Sequence, residues 1–209
     1  MVPSFRMKRY RLTAVVPALL FAVLCTTAAS AAGTVKGPRI AMVIAPRDFT
    51  DQEYADPRSV FDKAGATVRV ASTTRGTATG HDGANVQVDL SFNELSPDRF
   101  DALVTVGGTG ALTYLMDNEA LRNLIVAASR SGKVVGAICV GPAVLARAGV
   151  LRNRLATCYP DKRVISILKM SGADYSERSV VSTGRFITAN GPAAARDFAL
   201  SVLEAIRKG

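Results

Sequence analysis

The chain has no tryptophan, one histidine (His81) and three cysteines in 209 residues, and only 6% of it is aromatic. One histidine and no Cys-x-x-Cys pair leave no ligand set with the spacing of a zinc or transition-metal site, so no metal is expected. Acidic residues are scarce too, 17 against 26 Lys and Arg, for a net charge of +9. That surplus suggests nucleic acid as a partner. The basic residues of the body of the chain form no run, however, and no aromatics are interleaved with them, so no phosphate-tracking patch is visible and none is expected. A solvated basic surface is the simpler reading.

What is present begins with an N-terminal pattern. Arg6, Lys8, Arg9 and Arg11 precede Leu12–Cys25, a fourteen-residue stretch without a charge, and small residues follow (Ala28, Ala29, Ser30, Ala31, Ala32). This is the three-part pattern of a secretory signal peptide, with cleavage expected after Ala31. Fourteen residues give about 21 Å of helix against a hydrocarbon core of about 30 Å, which argues against a retained anchor. Leu24 before Cys25 lacks the small residue of a lipoprotein signal, and no Arg-Arg pair marks the twin-arginine route. The expectation is a signal over residues 1–31 and one domain over 32–209, exported to a periplasm or the medium, with no stable membrane insertion after cleavage. The processed chain would keep 22 basic and 17 acidic residues, a charge of +5, and two cysteines, Cys139 and Cys158.

The body of the chain alternates buried-strand and helix patterns. Ile40–Ala45 is an apolar run, a loop at Pro46–Asp51 leads to a helix over Gln52–Ala64, and Val68–Ala71 is a second strand. Ser72–Ala84, rich in Thr, Gly and Ser, is expected to be a loop, and Val86–Leu90 a short strand. Ala102–Val106 ends at Gly107-Gly108, one helical face runs from Leu112 to Ala128, and Val134–Ile138 passes directly into a helix over Ala143–Ala148. Ala156–Thr157, a turn at Tyr159-Pro160-Asp161, a hairpin about Ser182–Arg185 and a last helix from Gly191-Pro192 complete the chain. Such alternation specifies an α/β fold, a doubly wound, mainly parallel sheet with helices on both faces.

Ligands of such sheets bind beyond the carboxyl ends of the strands, which draws attention to Glu53, Gly107-Gly108 and Cys139. In Gly136-Ala137-Ile138-Cys139-Val140-Gly141-Pro142 the cysteine sits on a sharp strand-to-helix elbow, with proline in the first helical turn. A helix N-terminus favours an anion, so thiolate is expected there, and the backbone N–H groups of Val140 and Gly108 are placed to form an oxyanion hole. A small buried hydrophobe is the other reading of Cys139, and an exposed first-turn acid the other reading of Glu53.

The elbow, its continuation through Leu145-Ala146-Arg147-Ala148-Gly149-Val150-Leu151 and Ala156-Thr157-Cys158-Tyr159-Pro160, the strand Asp101–Val104 with Gly107-Gly108, and the closing Ile187-Thr188-Ala189-Asn190-Gly191-Pro192 together resemble the ThiJ/PfpI superfamily. The resemblance spans nearly the whole processed chain. It implies a flavodoxin-like fold with a nucleophile elbow at Cys139, a homodimer, and Glu53 as a carboxylic acid beside the cysteine, acting as acid and base. It further implies a cofactor-independent glyoxalase or deglycase type of activity on reactive aldehydes or glycated adducts. Val140 stands where peptidase-like members carry histidine, and Tyr159 where others carry one, which argues against a Cys-His dyad and amide hydrolysis. His81 reads as a solvated loop residue. A redox-sensing stress protein or chaperone with an oxidisable Cys139 and no turnover is the alternative, and a Cys139–Cys158 disulfide is an open possibility in an oxidising compartment.

Overall fold

The computed structural model describes residues 37–209 and, before them, Ser4. The expected signal peptide and its cleavage site lie outside those residues. No helix among the described residues is long and apolar enough to cross a membrane.

Seven strands form the central sheet: β1 (Arg39–Val43), β2 (Thr67–Ser72), β3 (Leu90–Ser91), β4 (Ala102–Thr105), β5 (Val134–Ile138), β6 (Val180–Thr183) and β7 (Phe186–Ala189). Their order is β6-β7-β5-β4-β1-β2-β3, and every pairing is parallel except the β6–β7 hairpin. The central strands are mostly apolar because both faces are covered, and every residue of β4 and β5, Thr105 included, is buried. Helices α1 (Asp51–Lys63) and α5 (Ala195–Arg207) pack on one another on one side, while α2 (Glu119–Arg130), α3 (Gly141–Arg147) and α4 (Lys162–Met170) form a contiguous group on the other. The α/β doubly wound architecture expected from the alternation is the one observed.

Several local expectations are corrected. Ser72–Ala84 is not a loop throughout, since Gly76–Gly80 is a strand pairing antiparallel with Asn85–Val88 and parallel with Arg47–Phe49 in a small separate sheet. The expected strand Val86–Leu90 is divided between two sheets at Asp89. There the Asp89 N–H donates to the Val70 carbonyl (2.9 Å) and its carboxylate accepts the Val70 N–H (2.7 Å), so the chain crosses from the accessory sheet to the edge of the main one. The face from Leu112 to Ala128 is interrupted: a π-type turn spans Ala111–Leu115, and α2 starts afresh after Asn118, whose side chain accepts the Leu121 N–H. Helix α4 was not anticipated. Asp161 caps it by accepting the N–H groups of Arg163 and Val164.

Candidate active site

Beyond the carboxyl ends of β1, β4 and β5 three segments meet. Cys139, the residue after β5, has φ of 63°, a left-handed conformation that a non-glycine residue adopts at a cost of about 1–3 kcal/mol. The backbone on both sides fixes it there: its N–H donates to the Ala189 carbonyl (2.8 Å) and its carbonyl accepts the Tyr159 N–H (2.7 Å). Helix α3 begins two residues later with Pro142 in its first turn, so the chain reverses at the cysteine and directs the thiol back across the strand ends.

Glu53 comes from the first turn of α1 and is fully buried, which overturns the exposed-acid reading. Its Oε2 accepts the Gly107 N–H (3.1 Å), and the Gly107 carbonyl in turn accepts the Thr50 N–H (3.2 Å). Gly107 lies between the two side chains. A Cβ built on it would stand 2.6 Å from the Cys139 Cβ and 2.6 Å from Glu53 Oε2, so only glycine permits this approach. Gly108 has φ of +99° and packs against the backbone of Asp48, Phe49 and Thr50. Its N–H and that of Val140 lie close enough to the Cys139 sulfur to favour its charged form.

Charge at this site is governed by burial. Desolvation lifts the Glu53 carboxyl from 4.5 to about 7, only partly offset by the Cys139 thiol and the Gly107 N–H. Glu53 Oε1 has no well-aligned donor, and the polar group facing the carboxyl is that thiol. Burial also pushes the Cys139 thiol well above its ordinary value, and the neighbouring Glu53 charge adds to this, against the two amides. The thiolate expected from a helix N-terminus is thus corrected. A seven-residue helix and two amides do not outweigh loss of water around the sulfur of a residue only 7% exposed, as long as a carboxylate faces it. The two groups are coupled, so a proton held by Glu53 removes the repulsion and can be donated to the sulfur.

Cys158 and Cys139 are both free and buried. The groups coupled to the Cys158 charge are Asp161 and Tyr175, and burial first, then Asp161, raises its thiol to about 12. His81 is exposed beyond the strand Gly76–Gly80 and acts electrostatically on Asp51, whose carboxylate holds the N–H groups of Asp82 and Ala84. Tyr159 is 45% exposed, its ring beside Gly191. Among the described residues no three His, Cys, Asp or Glu side chains gather as a metal site. Residues that sequence reasoning passed over are Arg47 and Asp48, whose carbonyls Gly110 and Gly108 pack against; the glycine density of Gly107-Gly108-Thr109-Gly110 was the available signal.

Comparison with known proteins bears on the family and the fold. The model of the DJ-1/PfpI family matches residues 38–205. An uncharacterized protein of Methanocaldococcus jannaschii is 41% identical over 202 residues, 97% of this chain and 98% of that one. A deglycase of Pyrococcus abyssi is 36% identical over 151 residues, 72% of this chain and 89% of its own. A glutathione-independent glyoxalase of Caenorhabditis elegans is 27% identical over 165 residues, 79% and 87% of the respective chains. The crystal structure of a ThiJ/PfpI domain protein from Brachyspira murdochii superposes with a TM-score of 0.79 at 33% identity, covering 83% of this chain and 99% of that one. With a family match running from the first central strand into the last helix, the chain belongs to the DJ-1/PfpI family.

Proposed function

We propose that this protein is a cofactor-independent stress-protection enzyme of the glyoxalase or deglycase type, acting on small reactive aldehydes or their adducts, with Cys139 as nucleophile and Glu53 as acid and base. The observation that carries the proposal is the buried pair itself: a carboxyl whose affinity for a proton lies near neutrality faces a thiol at a strained elbow. The names of the deglycase and glyoxalase relatives support it.

With methylglyoxal the chemistry balances without a cofactor. The sulfur adds to the aldehyde carbon and the carbonyl oxygen takes a proton, giving a hemithioacetal. Glu53 as carboxylate removes the proton from C1 and returns it to C2 through an enediol, leaving a thioester of lactate. Water then cleaves the thioester, releasing lactate and restoring the thiol. The amides of Gly108 and Val140 supply donors for the oxyanion of that last step.

Proton NMR of methylglyoxal incubated with the protein tests the proposal. Lactate should form with the wild-type protein, and Cys139→Ala should abolish it. Equal rates would remove Cys139 from the mechanism. The redox-sensing alternative is separated by the same sample: mild peroxide adding oxygen to Cys139, with no lactate formed from methylglyoxal, would favour the sensor. Assembly as a homodimer belongs to the proposal as well, and light scattering at twice the chain mass is the expected result.

A further inference from the structure

At the opposite end of the sheet from Cys139 lies a cavity of about 220 Å³. It arises from the shortness of β3, which pairs only with Ala71 and Ser72 at the carboxyl end of β2. The amino half of β2 has no strand hydrogen-bonded to its outer edge, and the segment from Leu95 to Phe100 passes beside it. The walls are apolar, formed chiefly by Ala41, Leu90, Leu95 and Phe100. Leu90 and Leu95 are half-buried, so part of this apolar surface faces water.

Three arginines line the cavity with them, and they are not equivalent. Arg39 is neutralised, since its guanidinium binds both oxygens of Asp101 (2.7 and 3.3 Å) and the Asp98 carbonyl. Arg69 reaches Asp89 only at 3.7 Å, and Arg99 has no ion-pair partner among the described residues. Apolar walls thus stand beside two cations with unused donors. An occupant needs an apolar body and a single anionic head, because a second charge would be stranded against the walls. A space of this size, below the usual range for drug-sized ligands, suits a small acid rather than a long-chain one.

We propose that this cavity binds a monocarboxylate with a short aliphatic or aromatic body, at a site separate from Cys139 and Glu53. The test is a titration of the full-length protein with hexanoate, followed by NMR, with 1-hexanol and adipate as controls. Hexanoate should bind saturably, and at least about tenfold more tightly than either control, since the alcohol lacks the charge and adipate carries one too many. Arg99→Ala should weaken hexanoate about three- to tenfold and leave hexanol unchanged. Leu95→Trp, at a half-buried position in the cavity lining, should fill the cavity and abolish binding of both. Cys139→Ala should bind hexanoate as wild type does, which separates this site from the aldehyde chemistry whatever becomes of that proposal. Absence of saturable binding, equal affinity for the three ligands, indifference to Arg99→Ala, or binding that survives Leu95→Trp would each overturn the assignment.

Discussion

Replacing Glu53 by Gln should make the protein more stable at alkaline pH while removing its proposed acid and base. The carboxyl is fully buried and its proton affinity is raised from 4.5 to about 7. A raised folded-state value means that ionisation opposes folding. Below about pH 4.5 the group is protonated in folded and unfolded chains alike and costs nothing. As pH climbs through about 7 the unfolded chain keeps an ionised carboxyl in water while the folded one must bury it, and the full difference comes to about 3 kcal/mol. Gln has nearly the same shape, keeps an oxygen for the Gly107 N–H, and never ionises. The stability difference between variant and wild type should therefore grow by about 2–3 kcal/mol from pH 5 to pH 8, all other titrating groups being common to both. For a domain of this size that corresponds to a gap in melting temperature widening by about 5–10 °C. Thermal or urea unfolding at the two pH values measures it. A difference that does not change with pH, or a variant that loses ground at pH 8, would refute the reasoning.

Gly107→Ala should disrupt the pair from the backbone side, because the new methyl would sit 2.6 Å from both Cys139 Cβ and Glu53 Oε2. Overpacking of this kind costs about 1–3 kcal/mol, and the displaced carboxyl should lower turnover about a hundredfold or more, measurable in the lactate assay beside a melt. Export should remove residues 1–31 and leave a 178-residue chain beginning at Ala32, and intact-mass analysis of the exported protein checks it.

The elbow and its glycines were legible because each rests on a local constraint. Pro142 fixes the start of α3, a strand running into it leaves Cys139 no room but a sharp reversal, and Gly107-Gly108 announces a close approach of chains. The strand Gly76–Gly80 was hidden because Gly-Thr-Ala-Thr-Gly carries no burial pattern of its own, and it exists through pairing with Arg47–Phe49 and Asn85–Val88. Helix α4 had a readable signal in Asp161 and the spaced Val164, Ile167 and Leu168, overshadowed by the turn at Tyr159-Pro160. The charge state of Cys139 could not be read locally. A helix N-terminus argues for thiolate, and the opposing burial and the facing Glu53 carboxyl are brought together only by the folded sheet.

The central claim is that Cys139 and Glu53 share one proton, and the pH dependence of Cys139 alkylation in wild type and Glu53→Gln tests it most directly. Reaction at Cys139 itself is followed by peptide mass analysis, which sets Cys158 aside. The wild type should show two steps, the first near pH 7 as the pair loses one of its two protons and comes to share the other, and the second at strongly alkaline pH as that shared proton is lost, while Glu53→Gln should show one step lying below that upper one. A single step near about 8.5 in both proteins, the value of an ordinary thiol, would contradict the account.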